Sequence, residues 1–492
     1  MPNLQSSVSK QSDIRWLWLT ILLLVISMRI HAEGTDPISV KSELARSAVT
    51  SHGWGTFEKP FSADSLWNSR PVGVTFGSFE IPKSNYFPAV GTGPYSSAVF
   101  LSDPSDPPLT IHPAAGKSGI WDPDAGELRS TVTIQHWPAS VIPAEGNDGH
   151  ADVIDIKAGI VHSFFHLKNN DGHWTAGQYA WSPLKGTGWG DPAHYFKGAR
   201  AAGVSTTAGL IRKHEIDDGQ PIFQHALAMS LTYNALSPKP TYIYPATSAD
   251  TGAEKQNFGQ IPEGALMMLP PDFDLSKITS LPLRKVAATL QTYGAYVVDR
   301  NVGTPFVIYV ENGSGFSLHR GGWDVRVASD LDRIRAALRQ VISVQNWVDG
   351  NGRQFTPFTA QKNVLSMRGP WVLTAGTQLP VFDTQTQALN FSAPTDGKPI
   401  AVSNSNSTGL SHVTWAKIIG GTSVRFTVNA SGAAKLRLIV SQGAKQVVDS
   451  RPLGNGQSLQ FDWPADGWIT LVATSDPATA SSVSAELVPS AH

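Results

Sequence analysis

The sequence predicts a mainly β protein: a jelly-roll-like β-sandwich core carrying a few helices, followed by an immunoglobulin-like β-sandwich. Three observations lead there. The chain is punctuated by 44 Gly and 34 Pro. The stretches between these breakers are short and alternate apolar with polar residues, the period of a half-buried strand. Only two segments carry the spacing of an amphipathic helix.

The elements follow in chain order. Lys10 and Arg15 precede an apolar run from Trp16 to Met28, then Ile30-His31-Ala32 and the polar Glu33-Gly34-Thr35. This is the pattern of a secretory signal peptide over residues 1–32. Its apolar run is well short of the ~20 residues a membrane-spanning helix needs. The expectation is a mature chain starting near Glu33, secreted or periplasmic, with no stable membrane insertion.

Residues 33–375 are expected to form a β-rich catalytic part, with strands such as Ser130 to Trp137, Asp152 to Ile156, Val161 to Leu167 and Ile222 to Tyr233. Helices are expected near 283–293 and 330–341. In the first, Leu283, Val286, Ala287 and Leu290 share a face. In the second, Ser329 and Asp332 resemble a capping box ahead of the stripe Leu331, Ile334, Leu338 and Val341. Between the helices, Ala295 to Val298 and Pro305 to Val310 look like a strand pair. The Thr, Gln, Pro, Asp and Gly of 376–400 read as a linker. Residues 401–492, beginning with a strand at Val413 to Ile419, then give about seven short strands, as an immunoglobulin-like or carbohydrate-binding-module-like sandwich needs.

Composition excludes several function classes. The chain has 38 Lys plus Arg against 39 Asp plus Glu, a net charge of −1, and no basic run of the kind that gathers phosphate backbones, so nucleic acid is not an expected partner. It has no cysteine, hence no thiolate nucleophile or ligand. Its 15 Trp supply flat apolar rings able to stack on sugars, with Trp67 and Trp174 as candidates.

The chemistry concentrates in Asp148-Gly149-His150-Ala151-Asp152 and in the following Ile160 to Leu167. Side chains alternate along a strand, so Asp148, His150 and Asp152 share one face, and His162, Phe164 and His166 share another. A three-residue loop, Lys157-Ala158-Gly159, would pair His150 with His166 and Asp152 with Phe164, bringing both sets together. A two-residue turn would separate them. A sheet face carrying this many His and Asp is either a cleft floor or a solvated outer face. A second group, Arg212, Glu215 and His225, lies further on, with His225 on the face of Phe223, Leu227, Met229 and Leu231. No cofactor is expected. His162 and His166, four apart on a strand, would be ~13 Å from each other and could not share a metal.

Phe61-Ser62, Ser65, Trp67-Asn68, Asp148-Gly149-His150, Ala208-Gly209, Ile211-Arg212 and His225-Ala226-Leu227-Ala228 resemble a group of exported microbial β-sandwich proteins associated with extracellular polysaccharides. The likeness spans roughly residues 60 to 310. It implies a polysaccharide substrate and site roles for Asp148, His150 and His225; the chain departs from the pattern at Gln224, where the group implies Asp.

Two chemistries remain open. Glycoside hydrolysis needs paired carboxyl groups, for which Asp148, Asp152 and Glu215 are candidates. β-Elimination on a uronate polymer needs a neutral base and a cation beside the substrate carboxylate, for which His150, His166 or His225 and Arg200 or Arg212 serve. A non-catalytic glycan-binding envelope protein is the third reading.

Overall fold

A computed structural model describes residues 53–357, 363–393, 396–404, 418–476 and 479–489. The signal peptide expected at 1–32 and most of the strand expected at Val413 to Ile419 lie outside the described residues. From Ser51 onward the chain clusters as one unit. It is mainly β, with few helices, and its strands form several multi-stranded sheets. Among the described residues no helix is long and apolar enough to cross a membrane.

The largest sheet runs in the order Arg70–Phe76, Arg339–Val348, Leu266–Met268, Ala295–Asn301, Leu227–Thr232, Phe306–Tyr309, Ala89–Gly91. One face, with Leu227, Met229, Leu231, Val297 and Ile308, packs under the helices Leu281–Thr292 and Val325–Ala337 through Leu283, Val286, Leu290, Leu331 and Ile334. The other face, with Ala228, Met268, Tyr296, Val298 and Tyr309, packs through Trp67 and Trp189 onto Ile154 and Val161 of a six-stranded sheet. That sheet runs Val99–Leu101, Ala151–Asp155, Ile160–Phe165, Gln178–Pro183, Ile120–Asp122, Glu127–Arg129. The layers are therefore helices, sheet, sheet, each burying one apolar face against the next.

Two expectations about this part are corrected. The second helix begins at Val325, because the Asp324 side chain accepts a hydrogen bond from Arg326 N and caps it there, not at Ser329. It stops at Ala337, because Arg339 and Gln340 pair with Met268 and Met267, and Val341 onward pairs with Arg70–Phe76, so the cross-strand ladder overrides helical spacing at Val341. Ala295–Asn301 and Phe306–Tyr309 are not partners of each other; each flanks Leu227–Thr232.

The C-terminal sandwich consists of two five-stranded sheets. Inward residues alternate in every long strand, with Leu436, Leu438 and Val440 in one and Val483, Ala485 and Leu487 in another. It starts earlier than expected. The supposed linker 376–400 contains the hairpin Val381–Asp383 with Ala388–Phe391, whose Phe382, Leu389 and Phe391 belong to the sandwich core. Polar composition disguised it: Asp383 uses both carboxylate oxygens to hold Gln385 N and Thr386 Oγ1 in the turn. This hairpin also docks on the first part, with Arg129 Nη2 donating to Phe382 O at 2.9 Å and Trp181 Nε1 to Thr384 Oγ1 at 2.8 Å.

Candidate functional site

A cavity of ≈ 590 Å³ lies between the two stacked sheets. From the six-stranded side it receives Trp121, Asp148, His150, Phe165 and Gln178, and from the larger sheet Ser230, Asp299, Asn301 and Tyr309, with Arg200 and Asp250 from loops. Its rim carries the exposed rings of Tyr95 and Trp121.

Local geometry explains how each group arrives. Gly149 has φ +51°, and a Cβ there would lie 2.6 Å from Leu167 O, so only glycine allows this close crossing of two backbones. His166 N donates to Asp148 O at 2.6 Å and Leu167 N to Gly149 O, which clips Asp148 beside the neighbouring strand. On the facing sheet, the register between Leu227–Thr232 and Ala295–Asn301 slips after Met229, where Ser230 comes opposite Asp299 rather than Val298. This bulge puts Asp299 on the same face as Val298. Strict alternation would have turned its carboxylate towards the helices.

The charged core of the site is tightly tied. Arg200 is buried, donates from Nη1 to Asp299 Oδ2 at 3.0 Å and to Tyr95 O at 2.9 Å, and lies 3.9 Å from the Tyr309 ring centre. Its Nη2 is buried with no partner among the described residues. Burial, together with the Asp299 charge, raises the Asp148 carboxyl above the usual range. Burial and the Arg200 charge hold His150 well below the ordinary imidazole value. His150 Nδ1 sits 3.2 Å from Phe164 O; a carbonyl can only accept, so Nδ1 carries the proton and Nε2 the lone pair. Behind them burial and the charge of Asp299 push Asp250 up to about 7, and burial raises Glu263 well above the carboxylate range.

The structure redistributes the residues expected from sequence. Asp148, His150 and Arg200 do line this cavity. His166 stands just outside it, close enough to feel the Asp148 charge. Asp152 is not in the lining of this cavity: fully buried, its Oδ2 accepts from Thr207 N and Thr207 Oγ1, both at 2.7 Å, and fastens the loop after Arg200. His162 points to the opposite face, bonded to Tyr179 OH at 2.8 Å, with burial lowering it to about 4. The hairpin register is the cause. Asp152 pairs with Ser163 and Asp155 with Ile160, so four residues rather than three form the loop. Asp155 Oδ1 caps that loop by accepting from Ala158 N, and His162 turns to the face opposite Asp152.

Trp67 and Trp174 are both buried, and neither lines the larger cavity: Trp174 packs edge-on against Trp137, while Trp67 stacks on Trp189 at 4.6 Å and borders a smaller cavity. Arg212, Glu215 and His225 line a different, smaller cavity. His225 leaves the apolar face because its strand begins only at Leu227. Asp299, Asp250 and Tyr309 escaped sequence reading. Asp299-Arg300-Asn301, a polar tripeptide ending an otherwise apolar strand, was the signal that could have found the first of them.

No family model matches this chain, and no curated protein matches it. Among solved structures, a glycosylation-associated protein complex from Streptococcus agalactiae aligns with TM-score 0.17 and 10% identity over 24% of this chain and 45% of that one. A family 29 carbohydrate-binding module aligns with TM-score 0.15 and 18% identity, over 26% and 87%. CBM4 gives TM-score 0.15 and 22% identity, over 24% and 94%. This chain spans less than half the length of the first of these, and at such scores none of them bears on function.

Proposed function

We propose that the protein is an exported polysaccharide-degrading enzyme that hydrolyses glycosidic bonds in the cavity between its two sheets. The observation that carries this reading is that Asp148 and Asp299 face one cavity and differ in circumstance: burial and the charge of Asp299 raise the Asp148 carboxyl, while Asp299 is paired with Arg200. Two carboxyl groups in different surroundings, facing one cavity, are the equipment of a glycosidase. Asp148 donates its proton to the leaving glycosidic oxygen. Asp299 supplies negative charge on the other side, where the sugar becomes oxocarbenium-like; water then adds at that carbon and gives its proton to the Asp148 carboxylate left by the first step. The free Nη2 of Arg200 binds a substrate oxygen, and Tyr95 and Trp121 stack on neighbouring rings.

Elimination is the second reading, favoured by the tautomer of His150. Its unprotonated Nε2 and the adjacent Arg200 are the base and the cation that uronate cleavage requires. One assay separates the two. Mature protein incubated with neutral and uronate-containing polysaccharides releases reducing ends without ultraviolet absorbance if it hydrolyses; an unsaturated, absorbing product would establish elimination. Binding without either product would leave a glycan-binding protein.

A further inference from the structure

The smaller cavity, of ≈ 180 Å³, lies outside the proposed catalytic cleft, and its lining is assembled with more care than a packing defect needs. Its floor is Trp67, only 1% exposed, whose Nε1–H has no partner among the described residues. Gly209, at φ +67°, allows the chain to lie against that ring; a Cβ there would be 2.5 Å from Trp67 Cζ3. Over this floor stand planar polar side chains. His225 Nε2 and Glu215 form an ion pair at 3.1 Å. Arg212 donates from Nε to Glu311 Oε2 at 3.0 Å. Gln224 is exposed at the mouth and makes no hydrogen bond to a described residue.

Charge decides the kind of ligand. Each buried cation in the wall already has its anion, Glu215 for His225 and Glu311 for Arg212. The remaining charges of the lining are of both signs, Lys59 against Glu58 and against Asp218, the last paired with Lys285, so the cavity carries no strong excess of either sign and offers donors and acceptors side by side around an aromatic floor. Polyhydroxylated, uncharged rings match that lining, since each hydroxyl both donates and accepts. Size sets the number: pockets for drug-sized ligands run to ~300–1,000 Å³, so this one holds a single ring.

We propose that this cavity is a second binding site, which takes one neutral pyranose ring, either free or as the end of a glycan chain. It is independent of cleavage in the larger cleft. The test is saturation-transfer NMR with glucose, galactose and mannose, and with glucuronate and glucosamine as charged controls. The proteins are the mature chain, Gln224→Trp, which blocks the mouth, and Trp121→Ala, which alters the larger cleft. At least one neutral hexose should show transfer that falls at least tenfold in Gln224→Trp, with an unchanged melting temperature, and persists in Trp121→Ala. The proposal is overturned if no neutral hexose shows transfer, if a charged sugar displaces all of them, or if Trp121→Ala rather than Gln224→Trp removes the signal. None of these outcomes depends on whether the larger cleft hydrolyses anything.

Discussion

Arg200 Nη1 stands 3.0 Å from Asp299 Oδ2, an ion pair that joins a loop to a bulged strand at the centre of the cavity between the sheets. Because Arg200 is buried, removing either partner leaves an uncompensated charge in a poorly solvated place. The pair thus serves two ends, closing the fold at this point and fixing beside Asp148 the charge that, together with burial, raises its carboxyl.

Asp148→Asn keeps the size and the hydrogen-bonding capacity of the side chain but cannot deliver a proton. Glycan cleavage should drop by at least ~100-fold, the usual scale for losing a general acid, while the melting temperature moves by no more than a few degrees. A variant retaining most of its reducing-end release would remove Asp148 from the mechanism.

Asp250 provides a pH test. Its carboxyl is raised to about 7 by burial and the charge of Asp299, against about 3.9 in an unfolded chain. The folded state therefore holds a proton that the unfolded state has released, and stability falls as pH rises from about 4 through about 7. Melting temperatures of the native chain should decline across that window, and Asp250→Asn should flatten the decline. Parallel profiles for the two proteins would contradict the assignment.

The Glu215–His225 pair should behave as a buried salt bridge. His225 is raised because the charge and hydrogen bond of Glu215 outweigh the lowering by burial, and Glu215 is lowered to about 2 because His225 outweighs the raising by burial. Breaking such a pair from one side costs ~3–5 kcal/mol. Urea unfolding of His225→Gln should show a loss of that order, and the double variant with Glu215→Gln should recover much of it. Additive losses would mean the two residues do not interact.

Truncation tests where the sandwich begins. A chain ending at Ala375 deletes the hairpin that carries Phe382 and removes the acceptors of Arg129 Nη2 and Trp181 Nε1. We expect it to aggregate, as judged by size-exclusion chromatography. A monodisperse fragment with a cooperative melt would show that the first part closes its core without the sandwich.

What the sequence determined by itself was local: a mainly β chain from its breakers and alternation, the helix Leu281–Thr292 from its apolar stripe, and the inward residues of the C-terminal strands. Asp148 and His150 stood out in the sequence as polar groups two apart, although the strand itself begins only at Ala151. Everything that depended on pairing was decided by tertiary structure. One residue more in the loop Ile156–Gly159 turned His162 away from Asp152. One bulge after Met229 turned Asp299 into the cavity, and one strand partner ended the helix before Val341. The side-chain period of a strand is two, so a slip of a single residue reverses a face, and that slip is set by partners distant in sequence.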